Sequence, residues 1–284
     1  MTQEMPFVDF SDEPYTYPYI HPNLTDSLRE KLTRCIHHFA DHGAVLLKNV
    51  FDPNYVEALH SEFCTEYADY FENRDHEDAL KVGDKRFMVT VKVKGNFNSP
   101  SFYANSTVIP IVRTILGNRV VLNGIGGVVS LPGSKPQHPH QDTSDLYPED
   151  FFHSGEYDSF YEQVPPYCIS AILPMVPINS INGCTEVWLG SHKIMGRIFK
   201  HKESAGTSYE TEVGDLMLMD YRIAHRGQAN KSNKVRPIIY NVYARPWFRD
   251  YQNYSRQKSV VICKSNDLPI PDEYKHLFVN AEYI

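Results

Sequence analysis

Gln137-His138-Pro139-His140-Gln141-Asp142 is the stretch on which the reading of this chain turns. It sets the imidazole of His140 and the carboxylate of Asp142 two positions apart. In an extended strand residues i and i+2 point to the same side, so both side chains can close on one metal ion. His138, which precedes Pro139, is expected outside the ligand set. The same His-x-Asp pattern occurs at His76-Glu77-Asp78, inside a charged run without β-branched residues. Charge runs are usually solvated, and with 13 histidines in the chain a chance match is no surprise. Only context can separate the two copies.

The bounds of the chain narrow what such a site serves. Its 284 residues suffice for one large domain or two small ones. A composition of 42% hydrophobic and 22% charged residues is that of a globular protein. The net charge of -7 argues against a broad nucleic-acid footprint, which needs a basic face. No apolar run approaches bilayer-spanning length, and Met1-Thr2-Gln3-Glu4-Met5-Pro6 lacks the basic and apolar regions of a signal peptide. The expectation is a cytoplasmic protein with no nucleic-acid and no membrane partner, as a monomer or homodimer. Cys35, Cys64, Cys168, Cys184 and Cys263 are widely spaced and form no CxxC pair, so they read as reduced thiols.

Helical periodicity dominates the first part of the chain. After an extended arm over residues 1–24, Ser27 with Glu30 makes a capping box. Leu28, Leu32, Ile36 and Phe39 follow at helical spacing, and Gly43 stops the run. Ala44-Val45-Leu46-Leu47 reads as a short buried strand. Asp52-Pro53 opens a second helix as N-cap and first helical residue, with Tyr55, Val56, Leu59, Phe63 and Tyr67 on one face. Residues 72–85 read as a charged surface loop and 87–93 as a strand. Val108, Ile111, Val112, Ile115 and Leu116 predict a third helix ended by Gly117.

The period then changes. Residues 120–131 are β-branched and Gly-rich, and strands are expected at 169–176, 185–189, 216–219 and 237–244. Short strands between Gly, Pro and Asn turns mark a sandwich or barrel. The fold class is therefore mainly β with flanking helices around a double-stranded β-helix, a cupin-like jelly roll. One domain over 1–284 is expected: the arm 1–24, a mainly helical flank 25–117, a jelly-roll core 118–250 with a lid-like insertion 143–166, and a C-terminal extension 251–284. The insertion carries Asp145, Tyr147, Phe151, Phe152, Tyr157 and Phe160, suited to covering a metal and an apolar substrate.

Context distinguishes the copy at His140. It follows a strand and the turn Leu131-Pro132-Gly133-Ser134, His225 lies between two later strand segments, and Arg236 opens the last strand. Two histidines and one carboxylate with open positions are the facial triad of non-heme Fe(II) oxygenases. Such a triad fixes iron on one side and frees the other for a cosubstrate and O2. Arg236 supplies a rigid guanidinium fork for a distal carboxylate.

From about residue 30 to 248 the chain resembles the phytanoyl-CoA dioxygenase family of Fe(II)/2-oxoglutarate oxygenases. The resemblance rests on motifs in order: Leu131-Pro132-Gly133-Ser134, the opening His-x-Asp stretch, Asn182-Gly183-Cys184-Thr185-Glu186-Val187-Trp188-Leu189-Gly190-Ser191-His192 with leucine where proline is usual, Gly214-Asp215-Leu216, His225-Arg226-Gly227-Gln228-Ala229-Asn230 and Arg236-Pro237. It implies that His140, Asp142 and His225 are the catalytic metal ligands for Fe(II). It implies further that 2-oxoglutarate is held by Arg236, Thr185 and Gln137, with O2 as the second cosubstrate. An upstream strand usually adds another polar contact, for which Lys92 or Lys94 is available. The implied reaction is hydroxylation or a related C–H oxidation, such as desaturation or ring formation, of a small-molecule, specialised-metabolite substrate, releasing succinate and CO2. Related halogenases replace the ligand carboxylate with a small residue, so Asp142 points away from halogenation. Two other readings stay open: a non-catalytic metal-binding jelly-roll protein, and a cupin-like metal enzyme that does not use 2-oxoglutarate.

Overall fold

The computed structural model describes residues 4–12, 25–72, 80–143, 164–194, 205–255, 257–264 and 269–284. The His76 motif, most of the arm and most of the insertion at 143–166 lie outside these residues. The described residues include the strands β1 (Phe7–Asp9), β2 (Ala44–Lys48), β3 (Leu80–Gly83), β4 (Arg86–Thr90), β5 (Lys92–Val93), β6 (Val121–Ser130), β7 (Cys168–Pro174), β8 (Thr185–Val187), β9 (Thr207–Ser208), β10 (Leu216–Asp220), β11 (His225–Gly227), β12 (Arg236–Ala244), β13 (Val261–Ile262) and β14 (Glu282–Tyr283). The helices are α1 (Asp26–His42), α2 (Pro53–Glu66), α3 (Ala68–Glu72), α4 (Pro100–Tyr103) and α5 (Val108–Leu116).

Eight strands form the major sheet in the order β1-β2-β10-β7-β12-β6-β4-β3, and β11-β8-β9 form a small second sheet facing it. This is the expected mainly β, jelly-roll class. The inner strands of the major sheet look largely apolar because both faces are covered, and their period of two sorts the residues. On β2, Val45 and Leu47 join the large core beneath the helices, while Ala44 and Leu46 join a second cluster toward the small sheet. On β10, Leu216 and Leu218 go one way, Met217 and Met219 the other. The helices bury Leu32, Cys35 and Phe39 of α1, Val56, Leu59 and Phe63 of α2, and most of α5 against the first face. Between the major sheet and the small one, the second face leaves a cavity of about 570 Å³.

Local signals mostly act as the chemistry requires. Asp52 caps α2 through a bond from the Asn54 backbone N–H, with Pro53 at the first helical position. Gly43 ends α1 at φ 77°, a left-handed conformation, and its N–H bonds the Phe39 carbonyl. A side-chain carbon at Gly43 would collide with the His192 ring, so the position is closed twice over. All five cysteines are unpaired.

Three expectations need correction. Thr25, not Ser27, caps α1, accepting from the Leu28 N–H, so the helix starts before the Ser27–Glu30 pair. The charged segment at 72–85 ends in β3, which pairs with β4 at the sheet edge. The expected strand at 87–93 breaks at Val91, because the chain changes sheets there: Thr90 pairs with Gly126 of β6, whereas Lys92 pairs with Val261 of β13.

Candidate metal centre

Backbone pairing brings the metal candidates together. The His140 N–H donates to the His225 carbonyl at 2.9 Å, and the His225 N–H returns a bond to His140 at 2.8 Å. This isolated antiparallel bridge extends the small sheet and places the two rings 4.4 Å apart between centroids. The candidate donor atoms of His140, Asp142 and His225 all lie within 4.8 Å of one another, the sole such group among the described residues. His225 Nε2 stands 3.5 Å from Asp142 Oδ1.

The donor set suits a divalent cation. His140 Nδ1 lies 2.9 Å from the His138 carbonyl, and His225 Nδ1 lies 3.1 Å from the Ile223 carbonyl. A carbonyl only accepts, so each Nδ1 carries its proton and each Nε2 presents a lone pair. Burial, followed by the neighbouring His225 ring, holds the His140 imidazole below its ordinary range against the opposing pull of Asp142. It therefore offers the neutral form that metals bind. His138 contributes its backbone, while its side chain stays exposed.

The Gly190-Ser191-His192 motif supports the third candidate ligand from behind. Ser191 Oγ accepts from the Ala224 N–H at 2.8 Å, and the Trp188 N–H donates to the Ala224 carbonyl at 2.9 Å. Both backbone polar groups of Ala224, the residue just before His225, are thus fixed. His192 is buried away from the cavity, with Nε2 3.2 Å from the Ala40 carbonyl.

The same alternation that sorts the core points one residue in two into the cavity. Arg86 and Met88 of β4, Val128 of β6, Ser170 and Ile172 of β7, and Arg236, Ile238, Tyr240 and Val242 of β12 line it, together with the metal candidates, Gln137 and Thr185. Arg236 is 1% exposed, yet its Nε and Nη1 meet no acceptor among the described residues. Burial, then the charge of Arg86, pushes its pKa down to about 9. A buried guanidinium with unused protons calls for an anion.

Arg86 is the residue that sequence reasoning missed. Arg86 and Arg236 both pair with Ser130, from opposite sides, so the two guanidiniums share one row of the sheet. Arg86 Nη1 donates to Gln137 Oε1 at 3.0 Å and Nη2 to the Gln228 carbonyl at 2.7 Å. Burial pushes its pKa down to about 10. Gly227 lies so close that any side-chain carbon there would overlap Arg86 Nη1. Gln137 is consumed in this support: Oε1 also accepts from the Gly227 N–H at 2.9 Å, and Nε2 donates to the Val82 carbonyl at 2.7 Å. Its carboxamide reaches the cavity with a single N–H to spare. Lys92 and Lys94 do not supply the upstream contact. Past the break at Val91 both turn to Glu66 of α2, at 3.3 and 2.6 Å, outside the cavity.

Two further residues come from the C-terminal extension: Asn253 and Tyr254 line the cavity wall. Further along the extension, Phe278 meets Tyr103 edge-on at 4.8 Å, on the helix-packed side of the major sheet. No helix among the described residues is long and apolar enough to cross a membrane.

Comparison with known proteins identifies the family of the chain. The profile of the family described as Phytanoyl-CoA dioxygenase (PhyH) matches residues 39–238. The iron/alpha-ketoglutarate-dependent dioxygenase ausO of Aspergillus calidoustus is 27% identical over 203 residues, covering 66% of this chain and 63% of that protein. Dioxygenase af480 of Aspergillus fumigatus is 20% identical over 154 residues, covering 53% of this chain and 46% of that one. The matches thus span less than two thirds of either curated relative. Among solved structures, HygX from Streptomyces hygroscopicus, determined with nickel, 2-oxoglutarate and hygromycin B, superposes with a TM-score of 0.58 at 14% identity, covering 81% of this chain and 90% of its own. At that identity the likeness is one of fold.

Proposed function

Because the chain belongs to the phytanoyl-CoA dioxygenase family, we propose that it is an Fe(II)/2-oxoglutarate-dependent dioxygenase that oxidises a C–H bond of a small, largely apolar molecule. The observation that carries this reading is the pairing, in one cavity, of a His-Asp-His donor set with the buried guanidinium of Arg236, whose Nε and Nη1 have no partner among the described residues. A purely structural metal needs no such clamp. 2-Oxoglutarate has the two ends this pairing asks for: a 2-keto acid to chelate the metal and a distal carboxylate for Arg236.

His140, Asp142 and His225 would hold the ion. When bound, Fe(II) with 2-oxoglutarate supplies O2 activation coupled to oxidative decarboxylation, yielding succinate and CO2 as the substrate C–H bond is oxidised. A carboxylate stands at Asp142, where related halogenases carry a small residue, which favours oxygenation over halogenation. Arg236 anchors the distal carboxylate with a charge-assisted fork. Arg86 raises the positive potential beside it, Gln137 holds Arg86 in place, and Thr185 lines the same wall. Met88, Val128, Ile172, Met219, Ile238 and Val242 give an apolar wall that excludes water and packs the substrate body. Tyr221, Tyr240 and Tyr254 line the same space with their rings. We assign hydroxylation, desaturation or ring formation on a specialised metabolite as the outcome, within a single domain.

Anaerobic addition of Fe(II) and 2-oxoglutarate is expected to produce the weak visible charge-transfer band of their chelate. Iron binding without that band overturns the assignment.

A further inference from the structure

The turn at the start of the C-terminal extension is wired to the metal site, and the wiring is closed. The Asp142 N–H donates to the Tyr221 carbonyl at 3.2 Å. The Tyr221 hydroxyl donates to Asp250 Oδ2 at 2.6 Å. Asn253 Nδ2 gives one hydrogen to the same Asp250 oxygen at 2.9 Å and the other to the Asp142 carbonyl at 2.7 Å. The Asn253 N–H completes the grip on Asp250, bonding Oδ1 at 2.9 Å. Four of these bonds make a ring that begins and ends on the peptide groups of Asp142.

The ring spans three segments distant in sequence. Asp142 carries the candidate carboxylate ligand. Tyr221 sits in the turn between β10 and β11, just before His225. Asp250 and Asn253 belong to a third segment that contributes no ligand. Each donor has one acceptor, Asp250 is buried, and both carboxamide hydrogens of Asn253 are used. Among the described residues no backbone N–H donates to the Asp142 carboxylate, so its aim depends on how its own backbone is held. That backbone is gripped on the N–H side by Tyr221 and on the carbonyl side by Asn253.

From this geometry we infer that Asn253 is a positioning residue for the metal centre: its carboxamide, locked by Asp250, fixes the Asp142 peptide and thereby the distance between the carboxylate and His225. The inference rests on the reading of His140, Asp142 and His225 as metal ligands. It also gives the extension a task beyond covering the fold. Tyr254, next in sequence, forms part of the cavity wall, so the same turn that sets Asp142 also touches the substrate space.

Titration of the metal-free protein with Co(II), without 2-oxoglutarate, separates the possibilities through the visible d–d spectrum and the dissociation constant. The wild type should bind one Co(II), and Asp142→Ala should lose it; a wild type that binds none overturns the ligand assignment itself. Given wild-type binding, Asn253→Ala should weaken Co(II) by about tenfold or more, the scale of losing a group that orients a ligand. Asn253→Asp is isosteric but has no hydrogens to give and faces the Asp250 carboxylate, so it should do at least as badly. If Asn253 only fills space, Asn253→Asp binds Co(II) like the wild type, and the inference is overturned. Thermal transitions and near-UV circular dichroism report whether each variant folds. Should the Asn253 variants fail to fold, Tyr221→Phe decides: deleting its hydroxyl opens the ring at another bond and should weaken Co(II) about threefold, whereas an unchanged constant overturns the inference.

Discussion

At one end of the cavity two imidazoles and a carboxylate converge, with their peptide groups and both Nδ1 atoms already bonded. At the other end two guanidiniums lie buried in one row of the sheet, with no Asp or Glu bonded to either among the described residues. The first end has its donors held by bonds within the protein. The second is left with surplus charge that an incoming anion must answer. The contrast teaches where ligand specificity comes from: preorganised imidazole and carboxylate donors suit a metal ion, while an uncompensated buried cation suits a carboxylate.

Each end can be broken separately. Asp142→Ala should lower metal affinity by more than about 100-fold, beyond the range for losing a mere orienting group, while Arg236 stays in place; isothermal titration with Co(II) measures it. Arg236→Met should do the converse. Removing a charge-assisted bond worth roughly 1.5–3 kcal/mol should weaken 2-oxoglutarate by roughly 10- to 150-fold and leave Co(II) binding unchanged. Equal effects of the two variants on both ligands would erase the distinction.

A finer test uses stability. Folding lowers the Arg236 pKa to about 9, so the buried charge penalises the ligand-free fold in full below that pH and is relieved as pH rises above it. Replacing an unpaired buried charge with an apolar group should therefore stabilise the ligand-free protein at pH 7, by about 1–2 kcal/mol in urea denaturation. Arg86→Met should show the opposite sign, because Gln137 Oε1 and the Gln228 carbonyl lose their donor. The smallest effect belongs behind the metal. Ser191→Ala strips the acceptor from the Ala224 N–H and should cost about 1 kcal/mol of stability, read by the same unfolding curves, with 2-oxoglutarate affinity intact.

How much of this was legible in the sequence follows from how each part is encoded. The metal candidates and Arg236 sit at strand ends beside turn motifs, so local pattern sufficed to find them. The strands were recognisable as apolar runs, but the division of each run between two cores is invisible until the second sheet is placed. Arg86 follows the charged segment that ends at Lys85, and nothing local distinguishes it from its neighbours. Its partners Gln137 and Gln228 lie far along the chain, and the one trace it leaves is the bare backbone of Gly227. Lys92 and Lys94 drew attention because the break at Val91, set by pairing with β13, cannot be read from 87–93 alone. Asn253 and Tyr254 were hidden for a similar reason: the extension has no motif, only partners.

The alternation along the major sheet has an evolutionary corollary. Neighbouring residues on one strand answer to different selective pressures, since one holds the helices on and the next shapes the chamber. Met88, Val128, Ile172 and Val242 can drift with little effect on the helix-packed core, while Phe87, Val129, Leu173 and Ile239 cannot. A lineage with this arrangement can change what it accepts without re-solving how it folds, so a combinatorial library confined to the inward positions is the economical way to redirect it.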